Sequence, residues 1–158
     1  MPCGIKPSSV LPAEIRRRKR GKRAERAYRE ACIIALTESW LDETVPDPEV
    51  HLDNFTIFRA DRTKASGKER GAGVCMYVNN RWCNNIKIYS VVCTPNVEML
   101  TLSLRPFHLP REFPTVVIIC IYIPPSANVN AAAELVATDA NSIQGKYPEV
   151  PVFIVGDF

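Results

Sequence analysis

The sequence has few histidines, no closely paired cysteines and no long apolar run, which are the features that usually build zinc centres and membrane spans. It contains only two histidines, and its six cysteines include no pair separated by two residues, so a zinc-finger type of site is disfavoured. The longest uninterrupted apolar run covers residues 116–123, far short of the roughly 20 residues that span a bilayer, and no apolar signal-peptide stretch opens the chain. We therefore expect an intracellular protein with reduced cysteines and no membrane partner.

The composition predicts one ordinary folded domain. The chain has 158 residues, of which 46% are hydrophobic and 23% are charged, as in typical globular proteins. Asn128 or Asn130 can cap one long helix that Gly145 ends, and short apolar or alternating runs predict strands. The predicted strands cover residues 32–36, 55–58, 74–78, 86–92, 97–104, 116–123 and 152–155. Buried strands with one clear helix indicate an α/β or α+β layered domain.

Positive charge is concentrated in one segment near the N-terminus. Residues 14–30 contain nine Lys or Arg and three Glu, a net charge of +6, whereas the whole chain carries +3. We interpret residues 1–31 as a basic leader, irregular or helical, which either contacts nucleic acid or directs import into the nucleus. The alternative is a solvated segment without a partner. The candidate nucleic-acid contacts in this basic arm are Arg16, Arg17, Arg18, Lys19 and Arg20.

Three predicted buried strands lead directly to residues that can do chemistry. Glu38, Tyr122 and Asp157 each lie at or just after the end of such a strand. In layered α/β folds, sites assemble at strand ends because the rigid sheet fixes side chains while the loops admit substrate. Two carboxylates that converge on one rim would suit Mg²⁺, which binds through one or two carboxylates, waters and phosphate oxygens. The alternatives are a solvated loop acid at Glu38 and a helix N-cap at Asp157.

Five segments occur in an order that resembles the endonuclease/exonuclease/phosphatase family, and in particular the endonuclease domains of animal non-LTR retrotransposons. The segments are LTESWL at residues 36–41, RADR at 59–62, RGAGV at 70–74, IYIPP at 121–125 and VGDF at 155–158. The resemblance covers about residues 32–158. It implies an α/β fold, here a partial four-layer α/β sandwich, that hydrolyses phosphodiesters with Mg²⁺ and acts on DNA.

The resemblance also implies a role for individual residues. Glu38 resembles the carboxylate that ligates the metal, Tyr122 the tyrosine that contacts the scissile phosphate, and Asp157 the aspartate that orients or deprotonates the attacking water. Such a division of labour is chemically reasonable, because a charged phosphodiester needs a cation on its oxygens and a base on the nucleophile. Arg62 and Arg70, in the basic stretch that follows residue 58, are candidate contacts to the nucleic-acid backbone.

Departures from the family pattern lead us to expect a fragment that is incomplete at both ends and inactive. No apolar run precedes residue 32 to supply the family's first strand and its asparagine, and the chain stops one residue short of the asparagine that follows Gly-Asp-Phe. The family's C-terminal Ser-Asp-His element is absent, and neither His51 nor His108 lies in a matching context. The alternative hypotheses are a non-catalytic nucleic-acid-binding remnant and a phosphatase of the same fold that acts on lipid or sugar phosphates.

Overall fold

Eight strands form two four-stranded sheets that pack face to face. A computed structural model describes residues 5–8, 22–66 and 71–158 of the chain. The first sheet has the order β1 (Ile5–Ser8), β2 (Ile33–Thr37), β4 (Val74–Asn79) and β3 (Phe55–Ala60), and the second has the order β5 (Asn85–Cys93), β6 (Glu98–Arg105), β7 (Val116–Tyr122) and β8 (Val152–Asp157). The helices are α1 (Lys22–Arg29) and α2 (Val129–Lys146), with 3₁₀ turns at Asp47–Val50 and Lys64–Ser66. The β1–β2 and β7–β8 pairs are parallel, and the other pairs are antiparallel.

The structure confirms the predicted α/β class and each strand predicted from residue 32 onward, with shifts of one or two residues at the ends. The predicted helix is also present. Asn128 is its N-cap, since its side chain accepts a hydrogen bond from Ala131 N at 3.2 Å. The helix continues through Gly145 to Lys146 rather than ending before it.

The expectation that the start of the chain contains no strand is wrong. Ile5–Ser8 form β1, which pairs in parallel with β2 so that Ile5 lies beside Ile33 and Ser8 beside Leu36. A strand therefore does precede β2, although it contains no asparagine.

Strand alternation places one apolar face of each sheet in a shared core. Residues of β2 and β4 such as Ile33 and Met76 pack against residues of β6 and β7 such as Leu102 and Ile118, and all four are almost completely buried. Because successive side chains point to opposite faces, the residues between them form two further apolar faces on the outside of the sandwich. A helix packs on one of these outer faces and a loop packs on the other.

The helix α2 covers the outer face of the second sheet, where Ala132 and Ile143 pack with Met99 and Ile119. Asp139 fixes the helix to the sheet because its carboxylate accepts hydrogen bonds from Ser90 and Thr101. Neither described helix combines the length and the apolar character needed to cross a bilayer.

A loop of residues 41–52, called the covering loop below, lies over the outer face of the first sheet. Its residues Leu41 and Val50 pack with Leu36 and Tyr77 of the sheet. Arg59 holds this loop, since its guanidinium donates to the carbonyls of Asp42 and Val45 and to the carboxylates of Asp47 and Asp61. Because these bonds occupy the guanidinium, the role of Arg59 is to stabilise the covering loop on the first sheet.

Four of the five cysteines in the described part of the chain are free thiols, as predicted. Cys75, Cys83, Cys93 and Cys120 are unpaired, and burial raises the pKa of the Cys120 thiol to about 12, so this residue is an inert part of the core. Cys32 is the exception, since it is disulfide-bonded, and the expectation of a reduced thiol is wrong at this position.

A pair of glycine substitutions tests how closely β8 approaches β7. A Cβ atom at Gly156, where φ is +145°, would lie 1.9 Å from the Ile121 carbonyl oxygen. We expect Gly156→Ala to lower the free energy of unfolding by about 3 kcal/mol or more, because backbone rather than a flexible side chain must move. Urea unfolding followed by circular dichroism measures this loss.

Gly145→Ala is the matched control for that substitution. Gly145 lies in the last turn of α2, and no heavy atom lies within 4 Å of the position that a Cβ atom would occupy there. Alanine should stabilise the protein here by about 0.5–1 kcal/mol, because glycine loses more backbone entropy in a helix. Equal effects of the two substitutions would contradict the close approach at Gly156.

Candidate functional site

Glu38, Tyr122 and Asp157 lie at the same end of the sandwich, and we call these three residues the site rim. Glu38 directly follows β2, while Tyr122 and Asp157 are the last residues of β7 and β8. The sequence analysis predicted this convergence from the strand ends alone. The roles assigned to the three residues stay predictions, because convergence shows proximity and not activity.

The Tyr122 hydroxyl connects the two sheets at this end by donating a hydrogen bond of 2.6 Å to Glu38 Oε1. Burial, the hydrogen bond to Glu38 and the negative charge of that carboxylate together raise the pKa of Tyr122 to about 12, while Arg62 opposes the shift. Tyr122 is therefore neutral across the physiological pH range. Its hydroxyl stays a hydrogen-bond donor there.

Asp157 lies beside Tyr122 because β7 and β8 pair in parallel, with Tyr122 opposite Asp157 in the register. Adjacent strands are separated by about 4.8 Å, so the two residues are immediate neighbours. The pairing continues past Tyr122, since Ile123 N donates to the Asp157 carbonyl at 3.0 Å. Asp157 is exposed to solvent, which gives its carboxylate access to water.

An unusual backbone conformation fixes Glu38 in place. Glu38 and Trp40 have positive φ angles of 51° and 55°, and Ala72 on the facing segment has a φ of 57°. Two hydrogen bonds hold the segments together, from Ser39 N to Gly73 O at 3.0 Å and from Trp40 N to Ala72 O at 2.9 Å. Left-handed conformations are costly for residues other than glycine and often occur at functional sites.

Glycine is required at position 73 in this arrangement. A Cβ atom on Gly73, where φ is +84°, would lie 2.8 Å from Ser39 Oγ, and Ser39 is completely buried. Trp40, by contrast, is 61% exposed, and its indole ring lies over Gly71. A large aromatic surface therefore faces solvent two residues from Glu38.

Beneath the site rim is a buried ion pair that the sequence analysis did not predict. Glu98, the first residue of β6, is 1% exposed, and its Oε1 accepts a hydrogen bond from Arg62 Nε. Its Oε2 accepts from Gly73 N at 2.6 Å. Glu98 also lies opposite Tyr122 in the β6–β7 register. The sequence carries one sign of this burial. Side chains alternate along a strand, so Glu98 lies on the same inward face as Leu100, Leu102 and Leu104.

This ion pair changes how Arg62 is interpreted. Arg62 is predicted to contact the nucleic-acid backbone, but its side chain is only 10% exposed and its guanidinium donates to Glu98. A contact with nucleic acid by Arg62 stays a prediction. The other predicted contacts, Arg70 and the basic arm Arg16–Arg20, lie outside the described residues.

Neither histidine of the chain lies at the site rim. His108 is in the connection between β6 and β7, at the end of these strands opposite Glu98 and Tyr122. His51 precedes β3, which starts at the end of its sheet opposite Glu38, and it lies 3.5 Å from Asp53. The expectation that neither residue takes the role of the family's phosphate-polarising histidine agrees with these positions.

The donors at the site rim fit a hard cation that retains most of its waters. Glu38 Oε1 is bonded to Tyr122, and Oε2 has no hydrogen-bond partner among the residues described. No group of three or more His, Cys, Asp or Glu side chains that could hold a metal occurs in the described part of the chain. Mg²⁺ is compatible with this set, because it commonly uses one or two carboxylates together with waters and phosphate oxygens.

Comparison with known proteins identifies the fold. A solved structure of humanized D. rerio TDP2 with 14 mutations matches with a TM-score of 0.54 over 84% of this chain, at 11% identity. The chain has the endonuclease/exonuclease/phosphatase fold. It spans 51% of that chain's length, so the match covers about half of the solved protein. No protein-family model and no curated protein sequence matches the chain.

Titration of Tyr122 tests the contact between the two sheets. Its folded-state pKa of about 12 exceeds the ordinary tyrosine value of about 10, so its contribution to stability is complete below about pH 10 and is lost as pH rises through the folded value. Glu38→Gln removes a charge that raises this pKa. We expect the pKa to fall but to stay above the ordinary value, because burial, the largest cause, remains.

NMR of protein labelled with ¹³C at the tyrosine ζ carbon measures this pKa, with Tyr122→Phe to assign the signal. Glu134→Gln, at an exposed position of α2, is the matched control and should leave the titration unchanged. An unchanged Tyr122 pKa in Glu38→Gln would contradict the hydrogen bond.

Proposed function

We propose that the chain belongs to a Mg²⁺-dependent phosphodiesterase that acts on DNA, of the type found in the endonucleases of non-LTR retrotransposons. The observation that carries this proposal is the convergence of Glu38, Tyr122 and Asp157 at the site rim. The fold supports a phosphodiesterase in general, and the five sequence segments favour the retrotransposon type. The whole protein's substrate and activity remain part of the proposal.

Each rim residue has a role that its surroundings permit. Glu38 holds the cation through the carboxylate oxygen that Tyr122 does not occupy. Bound Mg²⁺ supplies positive charge that stabilises the negative charge on the phosphate oxygens. Tyr122 stays protonated and contacts the scissile phosphate, for which its one hydroxyl proton is donated to a phosphate oxygen in place of Glu38 Oε1. The solvent-exposed Asp157 orients or deprotonates the attacking water.

Two observations lead us to favour DNA as the substrate class. Residues 14–30 carry a net charge of +6, which favours a polyanion over a single lipid or sugar phosphate. Trp40 is exposed beside the site rim, and an exposed aromatic ring can stack on a nucleobase.

A second candidate function is nucleic-acid binding without catalysis. It is favoured by the positions of His51 and His108, because a site that lacks its phosphate-polarising histidine loses several orders of magnitude in rate. We therefore expect Mg²⁺-dependent nicking of plasmid DNA by these 158 residues to be below detection.

Metal binding tests the proposal independently of turnover. We expect Mn²⁺, a spectroscopic substitute for Mg²⁺, to bind weakly to the chain and to lose most of its affinity in Glu38→Gln, because the substitution removes one of the two carboxylates at the site rim. Electron paramagnetic resonance of free Mn²⁺ measures the dissociation constant, and Glu134→Gln is the control. Binding that is unaffected by Glu38→Gln would overturn the metal site. Clear nicking that Glu38→Gln abolishes would instead support the endonuclease and refute the inactivity.

Salt dependence tests the contribution of the basic arm to DNA binding. The logarithm of the binding constant should fall steeply with the logarithm of salt concentration, with a slope of about −0.9 for each neutralised phosphate. Replacing Arg16, Arg17, Arg18, Lys19 and Arg20 with alanine should flatten this slope, as measured by fluorescence anisotropy on a labelled duplex. An unchanged slope would mean that the arm is a solvated segment. Tight binding to anionic lipid vesicles without binding to DNA would favour a lipid phosphatase.

A further inference from the structure

Glu98 is buried and charged, and the chemistry proposed for the site rim does not use it. Both of its carboxylate oxygens have partners, Arg62 Nε on Oε1 and Gly73 N on Oε2. Burying a carboxylate is expensive even when it is paired, and an apolar pair in the same place is often equally stable or more stable. Stability alone therefore does not explain a glutamate at this position.

We propose that Glu98 is a positioning residue that sets the conformation of residues 38–40, and thereby the direction in which Glu38 presents its carboxylate to Tyr122 and to a metal ion. This inference rests on the proposed function only for the metal.

A continuous path of hydrogen bonds connects Glu98 to the backbone beside Glu38. Glu98 Oε2 accepts from Gly73 N at 2.6 Å, and the carbonyl of the same Gly73 accepts from Ser39 N at 3.0 Å. The neighbouring bond joins Trp40 N to Ala72 O at 2.9 Å. The positive φ angles of Glu38 and Trp40 need such external support, because left-handed conformations are otherwise unfavourable.

Glu98 is also fixed relative to Tyr122, the hydrogen-bond partner of Glu38. Glu98 and Tyr122 lie opposite each other in the antiparallel β6–β7 pair, so their backbones keep a constant separation. The side chain of Glu98 accepts a hydrogen bond from Gly73 N, and its backbone is paired with that of Tyr122 in the sheet. Both partners of the hydrogen bond between Tyr122 and Glu38 are thereby positioned relative to one residue, although Tyr122 lies in the second sheet and Glu38 follows a strand of the first.

Arg62 has a separate task in this arrangement, which is to neutralise Glu98. Its side chain is 10% exposed, so the pair is withdrawn from water. Removing either partner alone would leave a buried charge without compensation and would destabilise the whole domain. Single substitutions therefore cannot separate the positioning role from general stability.

Two double variants separate these roles. Arg62→Met/Glu98→Gln removes both charges but keeps a side-chain oxygen that can accept from Gly73 N. Arg62→Met/Glu98→Met removes both charges and also this acceptor, with a side chain of similar length. Neither variant contains an unpaired buried charge at these two positions, so the difference between them reports on the bond to Gly73.

We measure Mn²⁺ binding by electron paramagnetic resonance and the exchange of the Ser39 and Trp40 amide protons by NMR, below the unfolding temperature of both variants. The Gln variant should bind Mn²⁺ as the unmodified chain does and protect both amides. The Met variant should bind Mn²⁺ about 10- to 100-fold more weakly, the range typical for loss of a group that supports a metal ligand, and should lose protection at both amides. Equal metal affinity and equal protection in the two variants would overturn the proposal.

A further measurement on the unmodified chain serves if a double variant fails to fold. The proposal requires the Gly73, Ser39 and Trp40 amides to open together and to show similar protection from exchange. A Gly73 amide that exchanges much faster than the other two would refute it. If the unmodified chain does not bind Mn²⁺, the proposed metal site fails, while amide exchange still decides the positioning role.

Discussion

The hydrogen bond from Tyr122 to Glu38 is the contact on which the candidate site depends. Tyr122 is the last residue of β7 in the second sheet and Glu38 directly follows β2 of the first, so the bond forms only when the sheets pack in the observed arrangement. The shared apolar core sets that arrangement, and the β7–β8 register then brings Asp157 beside Tyr122. Packing in the core thus determines whether the three rim residues share one location.

The arrangement of the site rim requires unfavourable backbone conformations. Strained φ angles at Glu38, Trp40 and Ala72 occur together with a glycine at position 73, whose Cβ atom would collide with a buried serine. Strain of this kind persists only where the surrounding structure determines the conformation. Here the surroundings include Glu98, which connects the strained segment to the strand opposite Tyr122. Rigid support suits a site that must hold one carboxylate ready for a cation.

Much of this architecture can be predicted from the sequence, because buried strands leave strong local signals. The strand signals, such as the apolar run that ends at Tyr122, are enough to predict that Glu38, Tyr122 and Asp157 lie near one rim, while their roles stay predictions. Strand β1 left no such signal, since Ile5–Ser8 is short and contains Lys6 and Pro7, and its conformation depends on pairing with β2 at a sheet edge. The pair of Glu98 and Arg62 was equally hidden. The two residues are 36 positions apart, and only tertiary packing shows that they meet.

Locating a bound cation tests the central claim most directly. Mn²⁺ broadens NMR signals of nearby nuclei, so substoichiometric Mn²⁺ added to the ¹⁵N-labelled chain identifies its own binding site. We expect selective broadening of the amides of Glu38, Ser39, Tyr122 and Asp157. Asn85, Arg105 and Leu109, at the opposite end of the second sheet, should keep sharp signals. Broadening that is centred anywhere else, or that is uniform over the chain, would contradict the proposed metal site.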